Sequence, residues 1–403
     1  MATSSTRSTR AGQLIRQPAQ YQAFVPASLP PDPPLQFDAS LATVLAGAGT
    51  ALGRLDGVAA TLPNPELFVA MYVRREAVLS SQIEGTQSTL DDVIAFEVDT
   101  DRGSLPVDIE EVVNYVSAMN YGLARLESLP LSLRLLREIH EKLMAGVRGG
   151  HKSPGEFRTT QNWIGVGPRG LADATFVPPP PEEMRAALGN LERFLHDRGG
   201  LDPLITCALA HAQFETIHPF LDGNGRMGRL LITFYLCHEQ VLQRPVLYLS
   251  HYLKQHRSAY YDRLMAIRTD GDWEGWLRFF LTGVAEVARE AEQTARNIVA
   301  LREAIRLKAQ AAGMKASTFT LIDWLFEQPM ITVNAAKERL GVSFTAANAM
   351  IADLTSMDLV SEVTGGRRNR MFRFDPYLEL FTDVAESPDD AVNIEPAIRS
   401  DGV

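Results

Sequence analysis

The chain is predicted to be mainly α-helical, with a small β-hairpin flap and a C-terminal module that combines helices with a strand hairpin. Three observations predict this. Apolar residues recur at spacings of three and four through most of the sequence. One stretch, GEFRTTQNWIGVGPRGLADATFVPPPP at 155–181, replaces that spacing with β-branched, aromatic and glycine residues and a proline run. The segment after Ser317 reads helix, helix, helix, then strand, Gly-Gly, strand. At 403 residues, 45% hydrophobic and 22% charged, the chain is globular and long enough for about two or three units. With 39 Lys and Arg against 49 Asp and Glu, its net charge of −10 excludes a general coat for nucleic acid or anionic membrane, so any DNA contact is local. No run approaches the roughly 20 apolar residues of a membrane helix; the best is Leu230 to Cys237.

Residues 1–38, rich in Pro, Ser, Gln and Ala with LPPDPPL at 29–35, read as an irregular arm, and Arg7, Arg10 and Arg16 lie in it without a secretory-type apolar run. A helical region spans 39–128. Within it a helix over 64–85 is expected: Asn64 caps it, Pro65 suits the first turn, Leu67, Met71, Val78, Leu79 and Ile83 form its apolar face, and Gly85 stops it. Residues 129–288 form the next unit, with the flap at 155–177 and helical spacing at 131–147, 181–198 and 203–217. The charged stretch 289–316 reads as a connector helix ending near Gly313, and 317–381 as a winged helix-turn-helix. From 382 to 403 the tail holds six acids against Arg399 alone and is expected to be disordered. Cys207 and Cys237, both in apolar helical stretches, point to buried thiols in a reducing compartment, hence the cytoplasm.

The chemistry concentrates in HPFLDGNGRMGR, His218 to Arg229. Gly223 and Gly225 lack a Cβ, so backbone N–H groups around Asn224 can turn toward one anion, with the positive end of the following helix behind them. Arg226 and Arg229, three apart on the first turn, share a face where guanidinium groups can take successive phosphates. Asp222 offers a hard oxygen to a magnesium ion shared with those phosphates. His218 supplies a base at neutral pH. Base, metal carboxylate, glycine cradle and paired arginines within one short run point to a catalytic nucleotide site.

That run resembles the complete motif of the Fic/Doc (Fido) family. The resemblance extends to YQAFVPASLPP near the N-terminus, SSQIEGTQ at 80–87, the stretch from NWIG to PPPP, YLSHYL at 248–253, RSAYYDRL at 257–264 and the winged-helix end. It implies a Fic-type helical core and protein adenylylation, in which a Ser, Thr or Tyr hydroxyl of a target protein attacks the α-phosphate of ATP. His218 would be the general base, Asp222 the Mg2+ ligand, and the run Gly223, Asn224, Gly225, Arg226, Met227, Gly228 and Arg229 the nucleotide cradle. The family's adenine-side tyrosine maps onto Tyr261, with Tyr260 beside it in the core. Some relatives carry an asparagine where this chain has Arg268, which leaves the adenine rim open. The flap resembles the hairpin that aligns a target segment by strand addition; a structural hairpin covering the core stays open beside it, with Glu156, Phe157 and Arg158 as its anchors.

Ser80 and Glu84 fall on one helix face next to Gly85, and Ser80-x-x-x-Glu84-Gly85 resembles the family's inhibitory motif. Glu84 would pair with Arg229 in place of the γ-phosphate, a brake carried by the same polypeptide. In the C-terminal module, Arg367, Arg368, Arg370 and Arg373 would line the wing. The reading helix, 343–354, offers Thr345 and Asn348 but no Lys or Arg, and residues 318–374 hold six basic and six acidic residues. DNA binding therefore stays open beside docking, dimerisation and target choice. Self-modification and homo-oligomerisation stay open too. A nucleotide-sensing transcriptional regulator is the second reading, and removal of AMP a third.

Overall fold

The computed structural model describes residues 10–381 except 19–20, 63–64, 99–105, 148, 151, 166–169 and 366–369. Arg7, Asn64, Arg367, Arg368 and the acidic stretch from Thr382 lie outside the described residues. The arm expected to be irregular contains an antiparallel hairpin, β1 (Gly12–Arg16) with β2 (Gln22–Pro26), in which Leu14 pairs with Phe24. Its neighbours hold it in place: the Phe24 N–H donates to the Val177 carbonyl at 2.9 Å, Gln213 Nε2 donates to the Ala27 carbonyl at 2.7 Å, and both Arg10 terminal nitrogens reach Glu274 at 2.8 Å.

The helices are α1 (Ala39–Thr61), α2 (Pro65–Ile83), α3 (Leu90–Val98), α4 (Ile109–Leu126), α5 (Leu133–Leu143), α6 (Pro181–His196), α7 (Pro203–Ile217), α8 (Asn224–His238), α9 (Leu249–Gln255), α10 (Arg257–Asp270) and α11 (Trp273–Ala311). The molecule is mainly helical, as its periodicity predicts. The connector expected from 289 is the second half of α11, which starts at Trp273 because the Asp272 side chain caps it, accepting the Gly275 N–H at 2.9 Å, and nothing after that interrupts the turn pattern. Asp38 caps α1 in the same way, and Leu41, Ala48, Leu52, Leu55 and Ala59 make a narrow buried stripe along which α1 packs on α11.

At the centre lies α7, buried on every side, with α6, α8, α10 and α11 against it. Trp276 of α11 donates its indole N–H to the Ala208 carbonyl at 2.9 Å. α8 returns beside α7, so the loop joining them stands at one end of the core. α2 lies against α4 and α9 and brings its C-terminal end to the first turn of α8. Among the described residues of the flap, Ile164 and Phe176 form an antiparallel bridge and residues 170–173 make a 3-10 turn.

The C-terminal module runs α12 (Ala316–Leu325), β3 (Met330–Thr332), α13 (Val333–Leu340), α14 (Phe344–Ser356), β4 (Ser361–Glu362), β5 (Met371–Arg373) and α15 (Asp375–Leu378). Its antiparallel sheet has the order β3-β5-β4. Thr332 and Ser343 cap α13 and α14 through their hydroxyls. Among the described residues no helix is long and apolar enough to cross a membrane, and Cys207 and Cys237 are free thiols.

Candidate active site

α7 begins on an Asp202 cap and ends at His218, whose φ of 50° turns the chain out of the helix. The loop that follows is fastened by the flap. Arg158 donates from Nε to the His218 carbonyl at 2.9 Å and from its backbone N–H to the Pro219 carbonyl at 2.9 Å. Asn162 Nδ2 spans the His218 and Phe220 carbonyls at 3.2 and 2.9 Å. Asn224 closes the loop from the other end, its side chain accepting the Phe220 N–H and donating to the Phe220 carbonyl, both at 2.8 Å. The His218 imidazole is buried, and burial together with the Arg158 and Arg268 guanidinium groups pushes its pKa down to about 3. A lowered pKa keeps the ring neutral and able to accept a proton. An NMR titration of the ring is therefore expected to show no protonation of His218 between pH 8 and pH 5, and a midpoint near the ordinary 6.5 would contradict this.

Gly223 caps α8 with φ 74°, a conformation that favours glycine. A side chain on Gly225 would place its Cβ 2.3 Å from Glu84 Oε1. The space expected to cradle an anion thus has the Glu84 carboxylate at its edge. Glu84 Oε1 stands 2.6 Å from Arg229 Nη2, Ser80 Oγ accepts from Arg229 Nε at 2.7 Å, and the Ser80 carbonyl accepts from Nη2 at 3.0 Å. Burial opposes the charge on Arg229, yet Glu84 and the nearby Tyr260, Tyr261 and Glu215 hold its pKa above the ordinary value.

Asp222 uses Oδ1 to accept the Gly223 N–H at 2.7 Å, while Oδ2 lies 3.5 Å from Lys152 Nζ. Among the described residues no three His, Cys, Asp or Glu side chains gather to hold a metal ion. Asp222 alone suits magnesium, which keeps waters and draws further ligands from phosphates. The loop carbonyl of Asp222 is held by His140, whose Nδ1 accepts the Gly155 N–H at 2.9 Å and whose Nε2–H therefore donates to Asp222 O at 3.0 Å. The His140 ring stacks on Phe220 with centroids 3.7 Å apart. One buried imidazole thus ties α5, the flap and the motif loop together.

Three residues expected in the cradle have partners of their own. Arg226 is buried, with Nη1 3.2 Å from Glu111 of α4 and Nη2 against Met144 Sδ, while Arg229 turns to Ser80 and Glu84. One turn of helix leaves the two arginines aimed at different helices. Met227 buries its side chain in the core and gives its N–H to the Gly223 carbonyl, so it does not line the cradle. Gly228 backs onto the buried Glu215, and its carbonyl accepts from His211 Nδ1 at 2.8 Å.

Tyr260 is core, bonded to His211 Nε2 at 2.9 Å, and Tyr261 beside it is exposed with Arg257 over its ring. Arg268 lies behind His218, donating to Thr216 Oγ1 and the Glu215 carbonyl at 3.2 Å and covering the Phe176 ring at 3.9 Å. Burial lifts Glu215 to about 7, with Arg229 pulling it down and Glu84 pushing it up.

Residues 42–124 match the model described as Fic/DOC family N-terminal, and residues 130–236 match the Fic/DOC family model. The chain carries a Fic domain. A protein adenylyltransferase Fic of Drosophila grimshawi is 33% identical over 175 residues, 42% of this chain and 32% of that protein. One of Culex quinquefasciatus is 32% identical over 176 residues, 42% of this chain and 31% of that protein. The matched stretch is therefore about a third of the length of these curated relatives. The crystal structure of a Fic family protein from Desulfovibrio desulfuricans G20 superimposes with a TM-score of 0.55 at 21% identity, covering 85% of this chain and 97% of that one, a likeness of fold.

Sequence reasoning missed His140 and Glu215 within the Fic domain and Glu111 in the N-terminal region before it. Only His140 gave a signal, a histidine on the apolar face of an amphipathic helix, and that pattern usually marks a core residue.

Proposed function

We propose that the protein is an autoinhibited protein adenylyltransferase that moves AMP from ATP to a hydroxyl of a target protein, itself included. The observation that carries the reading is the Glu84 carboxylate seated on Arg229 beside the Cβ-free Gly225, one anion placed where another would bind. His218 takes the hydroxyl proton, the hydroxyl oxygen bonds to the α-phosphorus, and the bond to pyrophosphate breaks. The α8 N-terminus and Arg229 bind the phosphates. Arg158, Asn162 and His140 hold the loop so that His218 and Asp222 keep their positions. Asp222 would hold the magnesium ion, which when bound neutralises phosphate charge. Tyr261 would meet the adenine, a role supported by its exposed ring alone.

We read the C-terminal module as a winged helix, from its helix order and β3-β5-β4 sheet. Docking or target choice is favoured over DNA, because Asn348 Oδ1 takes Arg370 Nη2 at 2.8 Å and Arg373 is paired with Asp91. Free thiols favour the cytoplasm. A mass-spectrometric search after incubation with ATP and magnesium is expected to find AMP on protein hydroxyls. Its absence even with Glu84→Gly would overturn the proposal.

A further inference from the structure

The inhibitory reading of Glu84 raises the question of what holds α2 in place, and the C-terminal module supplies an answer that rests on that reading. Tyr72, Glu76 and Ser80 of α2 are spaced four apart along one row of the helix, and Glu84, one residue past its end, continues that row. At the row's far end, Phe381 meets the buried Tyr72 edge-on, with centroids 5.5 Å apart and planes at 77°. Phe381 is itself buried against Tyr377 at 5.2 Å, and Tyr377 packs on Phe326 at 5.1 Å, inside the module. Glu76, in the middle, is fixed by the Tyr115 hydroxyl at 3.1 Å and the Ser250 N–H at 3.3 Å.

A second contact lies beyond the brake. Arg373 of β5 sits 3.1 Å from Asp91 of α3. Glu84 belongs to the turn between α2 and α3, so the module holds α2 on one side of it and α3 on the other. A packed helix transmits such a grip because its buried face shifts between discrete arrangements rather than bending freely.

We propose that the C-terminal module clamps α2 and α3 so as to seat Glu84 on Arg229, and that loosening the module lifts the brake. The module thereby acts on the rate of AMP transfer without contributing a group to the site.

The test uses the full chain. Phe381→Ala is expected to raise AMP transfer about fivefold or more, the low end of couplings between distant sites, and to speed amide hydrogen exchange over 76–90. Asp91→Asn, which leaves the core intact, is expected to do the same by a smaller factor. In a chain already carrying Glu84→Gly, neither change alters the rate. A gain that persists in that background, or wild-type rates in both single variants, overturns the clamp. If Glu84→Gly itself transfers no AMP, the enzymatic reading has failed, and exchange alone decides: unchanged protection over 76–90 in both variants overturns the clamp, and lost protection supports it.

Discussion

His218→Ala is expected to lower AMP transfer by a factor on the order of 10² to 10⁴ while nucleotide affinity stays near that of the parent chain. Base and phosphate-binding groups have separate duties. In the proposed function the phosphates meet the α8 backbone and Arg229, while the imidazole belongs to a loop whose fastening runs through backbone carbonyls. Arg158 and Asn162 bond the carbonyl of His218 rather than its ring, so the substitution removes the base and leaves its support standing. The comparison belongs in the Glu84→Gly background, where transfer is measurable, with nucleotide binding followed by calorimetry. Equal loss of binding and transfer would place His218 in the cradle.

Glu84→Gly is expected to raise transfer, self-modification included, by about tenfold or more, the scale of one charge-assisted hydrogen bond of about 1.5 to 3 kcal/mol. Arg229 then keeps Ser80 Oγ and the Ser80 carbonyl but loses the carboxylate, freeing Nη2 for a phosphate oxygen. Arg229→Ala is expected to cancel most of that gain, since the freed partner is absent. It also deprives the buried Glu215 of a neighbouring cation, so each variant's fold is checked by its unfolding midpoint. Transfer by the parent chain, the two single variants and the double variant gives the coupling between the two side chains. Additive effects, or no gain from Glu84→Gly at saturating ATP and magnesium, return Glu84 to the status of a helix-end acid.

The α7-loop-α8 unit was legible because each part declares itself locally: an apolar helical run, then glycines where the backbone must turn. The Ser80 and Glu84 pair was legible as a face, and Arg229 as its partner through family resemblance. What periodicity leaves undetermined is the identity of the neighbour. Arg226 and Arg229 share a helical face in projection, but Glu111 and Glu84 come from different helices, and α4 and α2 draw the two guanidinium groups apart. Met227 lies between them in sequence and points into the core for the same reason. His140, Arg268 and Glu215 act through contacts with residues that a one-dimensional reading keeps distant or assigns to packing. The β1-β2 hairpin was hidden by proline-rich composition, although its strands owe their place to Val177, Gln213 and Glu274.

That hairpin also bears on the side from which a target segment is expected to approach. β2 reaches the flap through the Phe24 N–H on the Val177 carbonyl, while Ile164 bonds Phe176 from the opposite side. One border of the flap is thus sealed by the protein's own N-terminal strand. Beside that bridge Gly165 takes a positive φ of 117°, which bends the chain away from extended geometry. A target segment that pairs with the flap is therefore expected along the border opposite β2.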